Sequence, residues 1–121
     1  GCFNIHTSKL PKNRGMMPNF WSFFNFETDT TSAVTIHKMN ETLDDGEILL
    51  QKLFDLNPME TLDSLIRRTK KLSVIAFLEA IEILGKGNIN FIVNDSQYAS
   101  YNTFPTKDDV KRFKAKGYRL R

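Results

Sequence analysis

A short apolar run that opens into a polar loop lies almost at the start of this 121-residue chain. Cys2–Ile5 is mostly apolar, and the residues after it include Pro11 and Gly15. This pattern predicts a buried strand whose carboxyl end leads into a loop. Asn4 and His6 are two residues apart, so on an extended backbone both side chains leave the same face. Such a pair can stabilise a growing oxyanion and move a proton, although an isolated N-x-H more often holds a histidine satisfied within its loop.

The conspicuous string around this pair is longer than N-x-H. Residues 4–15 have the form N-I-H-T-S-x-L-P-x-x-R-G, which closely resembles the catalytic loop of the folate-dependent formyltransferases. Thr42–Leu49 is similar to the L-D-x-G-x-I-L segment of that family, and Ala33–Met39 resembles the V-T-I-H-K-M strand between the two. The resemblance implies that the catalytic residues are Asn4, His6 and Asp44.

The resemblance also implies a reaction and two binding regions. The reaction is transfer of a formyl group from 10-formyltetrahydrofolate to a primary amine. Asn4 and a protonated His6 would stabilise the oxyanion, while Asp44 orients His6 and relays the proton of the amine. The residues implied to meet the folate are Asn40, Glu41, Thr42 and Leu43. Those implied to shape the acceptor side are Ser8, Leu10, Pro11, Arg14 and Gly15.

Several acceptors and one non-catalytic alternative stay open. The ending F-P-T-x-x-D-V-x-x-F at residues 104–113 is similar to tails of formyltransferases acting on nucleotide-linked amino sugars, which makes a sugar nucleotide the first expectation. Methionyl-tRNA and glycinamide ribonucleotide are alternatives, and tRNA is the one nucleic-acid partner considered. A 10-formyltetrahydrofolate hydrolase would use the same three residues with water as the acceptor. The chain could instead be a non-catalytic piece that serves in assembly.

The fold expected from the resemblance is α/β, namely the C-terminal part of the Rossmann-like formyltransferase fold, with a mixed sheet and flanking helices. Residues 1–93 would form the catalytic part, and residues 94–121 a linker and a helix packing on it. The catalytic residues should meet at the carboxyl ends of neighbouring strands. His37, a second candidate base, is expected to be a wall or surface residue.

Local patterns predict the individual elements. A helix should begin at Pro18, and residues 33–39 should form a half-buried strand, followed by another over 47–56. Asn57 is the predicted N-cap of a long amphipathic helix, with Glu60 reaching back to it, that ends near Gly85. A short strand over 89–93 and a helix capped at Thr106 complete the prediction.

Composition narrows the remaining possibilities. A single cysteine excludes an internal disulfide, and no run has the length or pattern of a membrane span or signal peptide, so we expect a cytoplasmic protein without a membrane partner. Residues 90–121 hold seven Lys and Arg against three Asp, which is usually only a solvated face. No nucleotide-binding loop and no zinc motif occurs, so no metal is predicted.

The position of the predicted site within the chain gives one more expectation. In the resembled family, several strands and helices precede the catalytic loop and form much of the folate pocket. A strand at Cys2–Ile5 would otherwise present an unpaired edge, which invites pairing with another chain. We therefore expect either an additional N-terminal half of the enzyme or self-association through that edge.

Overall fold

The computed structural model describes residues 2–42 and 44–121, and it has the α/β architecture predicted from the sequence. Its strands are β1 (Phe3–His6), β2 (Arg14–Gly15), β3 (Thr31–Lys38), β4 (Ile48–Asp55) and β5 (Tyr101–Asn102). Its helices are α1 (Pro18–Phe24), α2 (Leu62–Lys86) and α3 (Lys107–Ala115), with a short 3₁₀ turn at Ser96–Tyr98.

The main sheet has the order β1-β3-β4, and both pairings are antiparallel. Asn4 lies opposite His37 and His6 opposite Thr35, while Thr35 also faces Gln51. Because side chains alternate along a strand, these five polar residues share one face of the sheet. The predicted convergence at the carboxyl ends of neighbouring strands is therefore wrong, since antiparallel neighbours end at opposite edges.

Strand β3 is buried on both faces rather than half-buried as predicted, with Ser32–His37 all buried. The loop after β1 covers the polar face: Thr35 Oγ1 donates to the Ser8 carbonyl at 2.7 Å, and Gln51 Nε2 donates to the Leu10 carbonyl at 3.0 Å. The alternation of apolar and polar residues predicts the two faces of β3 correctly. It does not show that a distant loop covers the polar face. Burial with satisfied hydrogen bonds makes that face a rigid platform.

Helix α2 packs on the opposite, apolar face of the sheet through Ala76 and Ala80, which contact Val34, Ile36 and Leu49. Its N-cap is not the predicted Asn57. Instead Thr61 Oγ1 accepts from the Ser64 amide at 3.0 Å.

The residues predicted to cap α2 form the turn before it. The Asn57 side chain accepts from the Met59 amide at 3.0 Å, closing a local turn. The Glu60 carboxylate bonds Ser64 and Arg68 instead of reaching back. Asn and Thr both cap helices well, and in the folded chain Thr61, four residues after Asn57, is the residue that caps α2.

A second core joins the ends of the chain. Phe113 of α3 stacks on Phe20 of α1 with ring centroids 4.5 Å apart, and Tyr118 stacks on Phe23 at 5.8 Å. The predicted start of α3 is confirmed as a capping box between Thr106 and Asp109. Residues 94–121 thus contact the earlier part of the chain, while the domain boundary at 93 remains a prediction.

The predicted strand over 89–93 is wrong. Within the described residues this segment makes only an isolated bridge between Ile92 and Ile48, with amide-to-carbonyl distances of 2.8 and 2.7 Å. Ile92 and Val93 are largely exposed, and the chain then turns inward at Asn94. The alternation of apolar residues here marks a crossing at the start of β4 rather than a strand with a partner.

Candidate functional site

The end of β1 and the loop after it hold the predicted histidine in a fixed orientation. His6 is 7% exposed, and its Nε2 lies 2.9 Å from the carbonyl oxygen of Asn13. A carbonyl can only accept, so Nε2 carries a hydrogen and donates it. The other ring nitrogen, Nδ1, points to the carboxylate of Asp44, with 3.5 Å between Nδ1 and Oδ1. The structure therefore brings together two of the three predicted catalytic residues.

Asp44 lies on the connection between β3 and β4, which folds back over the polar face of the sheet. Its φ of 59° is left-handed, a conformation that aspartate tolerates better than most residues. Oδ2 accepts from the amide of Gly15 at 2.9 Å, which leaves Oδ1 to face the histidines. Asp44 lies beside His6 because this connection folds back over the sheet, and not because two neighbouring strands end at the same edge.

His37, expected to be a wall or surface residue, is a buried wall residue of a cleft beside Asp44. It is 2% exposed, and its Nε2 lies 3.6 Å from the same Oδ1 of Asp44. Nδ1 lies 2.9 Å from the Lys38 carbonyl, so Nδ1 is the protonated nitrogen and Nε2 is directed at the carboxylate. Its position follows from strand register, because antiparallel pairing places His37 opposite Asn4, on the face that also carries His6.

Opposing influences act on the pKa of His6, whose ring was expected to be charged in the reaction. Burial lowers the pKa of His6, while the hydrogen bond to the Asn13 carbonyl and the charge of Asp44 oppose that effect and the nearby His37 adds to it. The net direction is downward, which favours neutral imidazole. With its hydrogen on Nε2, the neutral ring presents the Nδ1 lone pair toward Asp44 and can accept a proton there.

A small cleft of about 60 Å³ opens beside the carboxylate. Its lining residues are Asn4, His37, Met39, Asn40, Thr42 and Asp44. The third predicted catalytic residue, Asn4, therefore lies at the same cleft as Asp44, on the face it shares with His6 and His37.

The segment predicted to meet folate forms the rim of this cleft. The Asn40 side chain accepts from the Thr42 amide at 3.1 Å, so a local turn fixes the rim. Asn40, Glu41 and Thr42 are all exposed and free to contact a ligand. Leu43, the fourth residue of that prediction, lies outside the described residues.

Most of the residues predicted to shape the acceptor side are buried, and they hold the loop in place through internal contacts. Ser8 is fully buried and donates to the Lys12 carbonyl at 2.7 Å, and Leu10 is buried beneath the loop. Pro11 follows Leu10 through a cis peptide bond and is partly exposed. Arg14 is only 1% exposed, so contact between its guanidinium and an acceptor remains a prediction without support from its burial.

Gly15 shows why this loop needs a glycine. Its φ is 101°, and a Cβ there would overlap the backbone carbonyl of Asn102 in the neighbouring strand β5. This close approach lets the Gly15 amide reach Asp44. The glycine thus holds the Asp44 carboxylate through its backbone amide.

A larger polar pocket of about 200 Å³ lies on the other side of the loop, beside Asn13 and Tyr98. Lys9 and Lys12 both reach the Asp29 carboxylate there, at 2.7 and 3.2 Å. Burial would raise the pKa of Asp29, but hydrogen bonds from Lys9, Thr31 and Lys12 hold it well below its usual range. The pocket therefore carries one ammonium charge beyond the carboxylate that it contains.

Known proteins match this chain over most of its length. Residues 1–81 match the formyl transferase family. Methionyl-tRNA formyltransferase of Thermotoga maritima is 42% identical over 110 residues, covering 91% of this chain and 34% of that protein. Because the family match spans well over half of the chain, the protein belongs to the formyl transferase family. The chain spans about a third of the length of the curated relatives it matches.

Solved structures agree with this assignment. The formyltransferase PseJ from Anoxybacillus kamchatkensis, in complex with UDP-4,6-dideoxy-4-formamido-L-AltNAc and tetrahydrofolate, is 33% identical with a TM-score of 0.75, covering 90% of this chain and 55% of that one. WlaRD, a sugar 3N-formyl transferase solved with dTDP and 5-N-formyl-THF, is 26% identical with a TM-score of 0.76, covering 84% of this chain and 36% of that one.

One further property concerns the helices. Among those the structure describes, none is both long enough and apolar enough to cross a membrane.

Proposed function

We propose that the site transfers a formyl group from 10-formyltetrahydrofolate to a primary amine. The observation that carries this proposal is the Asp44 carboxylate, which lies 3.5 Å from His6 Nδ1 and lines a small cleft with Asn4. Relatives at 33% and 26% identity were solved with tetrahydrofolate and 5-N-formyl-THF, respectively, which supports a folate donor here. The folate would lie across the mouth of the cleft, along the rim at Asn40–Thr42.

In the first step the amine nitrogen attacks the formyl carbon. A carbon–nitrogen bond forms, and the carbonyl electron pair moves onto oxygen to give a tetrahedral oxyanion. The Asn4 amide is the donor placed to stabilise that charge, because it lines the cleft. Removing one such donor typically lowers the rate by about 10²–10³.

The attacking amine must then lose a proton. Asp44 lines the cleft, whereas both nitrogens of His6 are turned away toward Asn13 and Asp44. The proton therefore passes to Asp44, directly or through water, and on to the free lone pair of His6 Nδ1. The oxyanion collapses, the bond from carbon to N10 of the folate breaks, and N10 takes up a proton from the site. His37, with its Nε2 3.6 Å from Asp44, is a second group able to carry that proton.

The acceptor is the finer part of the proposal. The ending at residues 104–113 resembles tails of enzymes that act on sugar nucleotides. In this chain Thr106 caps α3, and Phe113 is fully buried in the core. Folding alone therefore explains it. Two acceptors remain supported by relatives: methionyl-tRNA, through 42% identity to an enzyme of that name, and a nucleotide-linked amino sugar, through PseJ at 33%. The higher identity favours methionyl-tRNA.

The test is formylation by purified protein containing these residues, with 10-formyltetrahydrofolate and each acceptor in turn. We expect formylated product with one acceptor, detected by mass spectrometry, and its loss in Asp44→Asn. Tetrahydrofolate and formate released without any amine would instead identify a hydrolase. Donor left unconsumed under every condition would overturn the proposal in favour of a non-catalytic role.

A further inference from the structure

Asn94, which lies beyond the residues matched to the family, holds the backbone around the catalytic acid. Its side chain is buried, and the amide nitrogen donates to two carbonyls, that of Asp44 at 2.8 Å and that of Gly46 at 2.9 Å. These carbonyls flank Asp45, so one amide fixes both ends of the turn. The turn needs such support because Asp44 adopts a left-handed conformation.

Arg14 holds Asn94 in turn. Its Nη2 donates to Asn94 Oδ1 at 2.7 Å and to the Asn94 carbonyl at 3.1 Å, while Nη1 donates to Ser96 and Tyr101. Within residues 2–42 and 44–121, no carboxylate forms a salt bridge with this guanidinium. This charge is 1% exposed, its partners are neutral groups, and its buried Nε has no partner among the described residues, so it depends strongly on the hydrogen bonds of Nη1 and Nη2.

The contacts close into a ring. Arg14 binds the Asn94 side chain, Asn94 binds the backbone of Asp44, and the Asp44 carboxylate accepts from Gly15, which follows Arg14 in the chain. The ring therefore holds Asp44 by its backbone from one side and by its carboxylate from the other. With Oδ2 taken by Gly15, only Oδ1 is left to face His6.

We propose that Arg14 and Asn94 are positioning residues that aim the Asp44 carboxylate at His6. The consequence for activity rests on the proposed function, whereas the structural effect does not. Arg14 lies in the loop that sequence reasoning assigned to the acceptor, and its burial agrees better with this internal role. The site then depends on a contact that spans 80 residues of the chain.

The first variant to test is the double substitution Arg14→Met with Asn94→Leu. Replacing both partners by apolar groups of similar size leaves no unpaired guanidinium and no unpaired side-chain amide, while the carbonyls of Asp44 and Gly46 lose their shared donor. The control is Asn90→Leu, the same replacement at an exposed asparagine four residues away. Arg14→Lys is the second variant, because one ammonium cannot bond Asn94, Ser96 and Tyr101 together.

Two readouts do not require catalysis. In NMR titrations the pKa of His6 should fall further in the double variant, because the Asp44 charge that raises it moves away. Hydrogen exchange at the Gly15 amide should speed up at least tenfold in the double variant and by a smaller factor in Arg14→Lys. The control should match the parent in both. If the double variant fails to fold, the rate of hydrogen exchange at the Gly15 amide in Arg14→Lys becomes the deciding measurement.

The catalytic readout is the split between kcat and KM. We expect kcat to fall at least tenfold in the double variant with KM for the folate unchanged, since only the transition state needs the aimed carboxylate. Variants that fold with unchanged His6 pKa and unchanged Gly15 exchange would overturn the proposal. A parent protein without formyl transfer would contradict the proposed function alone, because the NMR readouts still test the ring.

Discussion

Asp44 Oδ1 lies 3.5 Å from His6 Nδ1 and 3.6 Å from His37 Nε2, so one carboxylate oxygen serves two buried histidines. The two imidazole rings are 6.5 Å apart in an edge-on arrangement. A proton delivered to the carboxylate therefore has two neighbouring nitrogens that can accept it. This shared oxygen is the feature from which the first predictions follow.

Removing either member of the acid–histidine pair should affect the chemical step rather than binding. In the active enzyme we expect His6→Ala or Asp44→Ala to lower kcat by about a hundredfold or more, with folate affinity nearly unchanged. Steady-state kinetics and a separate folate titration measure the two quantities. Asp63→Ala, an exposed carboxylate on α2, is the control. A variant that mainly raised KM would contradict the catalytic role.

The buried His6 should make the protein less stable toward mildly acid pH. Burial lowers the pKa of His6, so the unfolded chain takes up this proton at a higher pH than the folded chain. Stability from this group is complete above the unfolded value of about 6.5 and declines as the pH falls below it. We expect the free energy of unfolding in urea to fall between about pH 7 and pH 5, and by less in His6→Gln.

Carboxylates will not obscure that window. The pKa values of Asp29 and Glu60 are also lowered, but their stabilisation is lost only as the pH falls below ordinary carboxyl values of about 4. An identical dependence on pH in the parent and in His6→Gln would show that His6 does not titrate differently in the folded state.

Gly46 should tolerate no side chain, because a Cβ there would overlap the carbonyl oxygen of Lys38. We expect Gly46→Ala to destabilise the protein by roughly 1–3 kcal/mol, since the backbone segments at Gly46 and Lys38 must move apart. The control is Gly85→Ala in α2, where a Cβ meets nothing and should stabilise the helix by about 0.5–1 kcal/mol. Urea unfolding measures both changes, and equal effects would contradict the close approach.

The purified 121-residue chain should self-associate. Among the described residues, β1 is paired only with β3, which leaves its other edge free. The outer face of α2 is also apolar, with Val74, Ile75, Phe77, Leu78 and Ile81 each at least half exposed. A second copy could cover both features.

Light scattering at micromolar concentration tests this expectation. Replacing Leu78 by Glu should shift the chain toward monomer, whereas Lys111→Glu, at an exposed lysine of α3, should not. A folded monomer of the parent chain would show that these residues close their own core.

Several site residues and helix starts could be predicted because short sequence motifs mark them. The N-x-H pattern placed Asn4 and His6 on one face, and the L-D segment identified Asp44. The start of α1 at Pro18 and the capping box at Thr106 also followed from neighbouring residues alone. For the shared face of Asn4 and His6 and for the two helix starts, the controlling interaction spans only a few positions, so the sequence by itself determined it, whereas Asp44 was indicated by the family resemblance.

Tertiary structure decided what depends on residues far apart in the chain. Antiparallel pairing brought His37 opposite Asn4, and docking of α2 selected Thr61 over Asn57 as its cap. Asn94 met Arg14 across 80 positions, although nothing in either local string marks the pair. The physical reason is that hydrogen bonds inside a buried site are satisfied by whichever donor the fold brings near, and only the folded chain defines that neighbour.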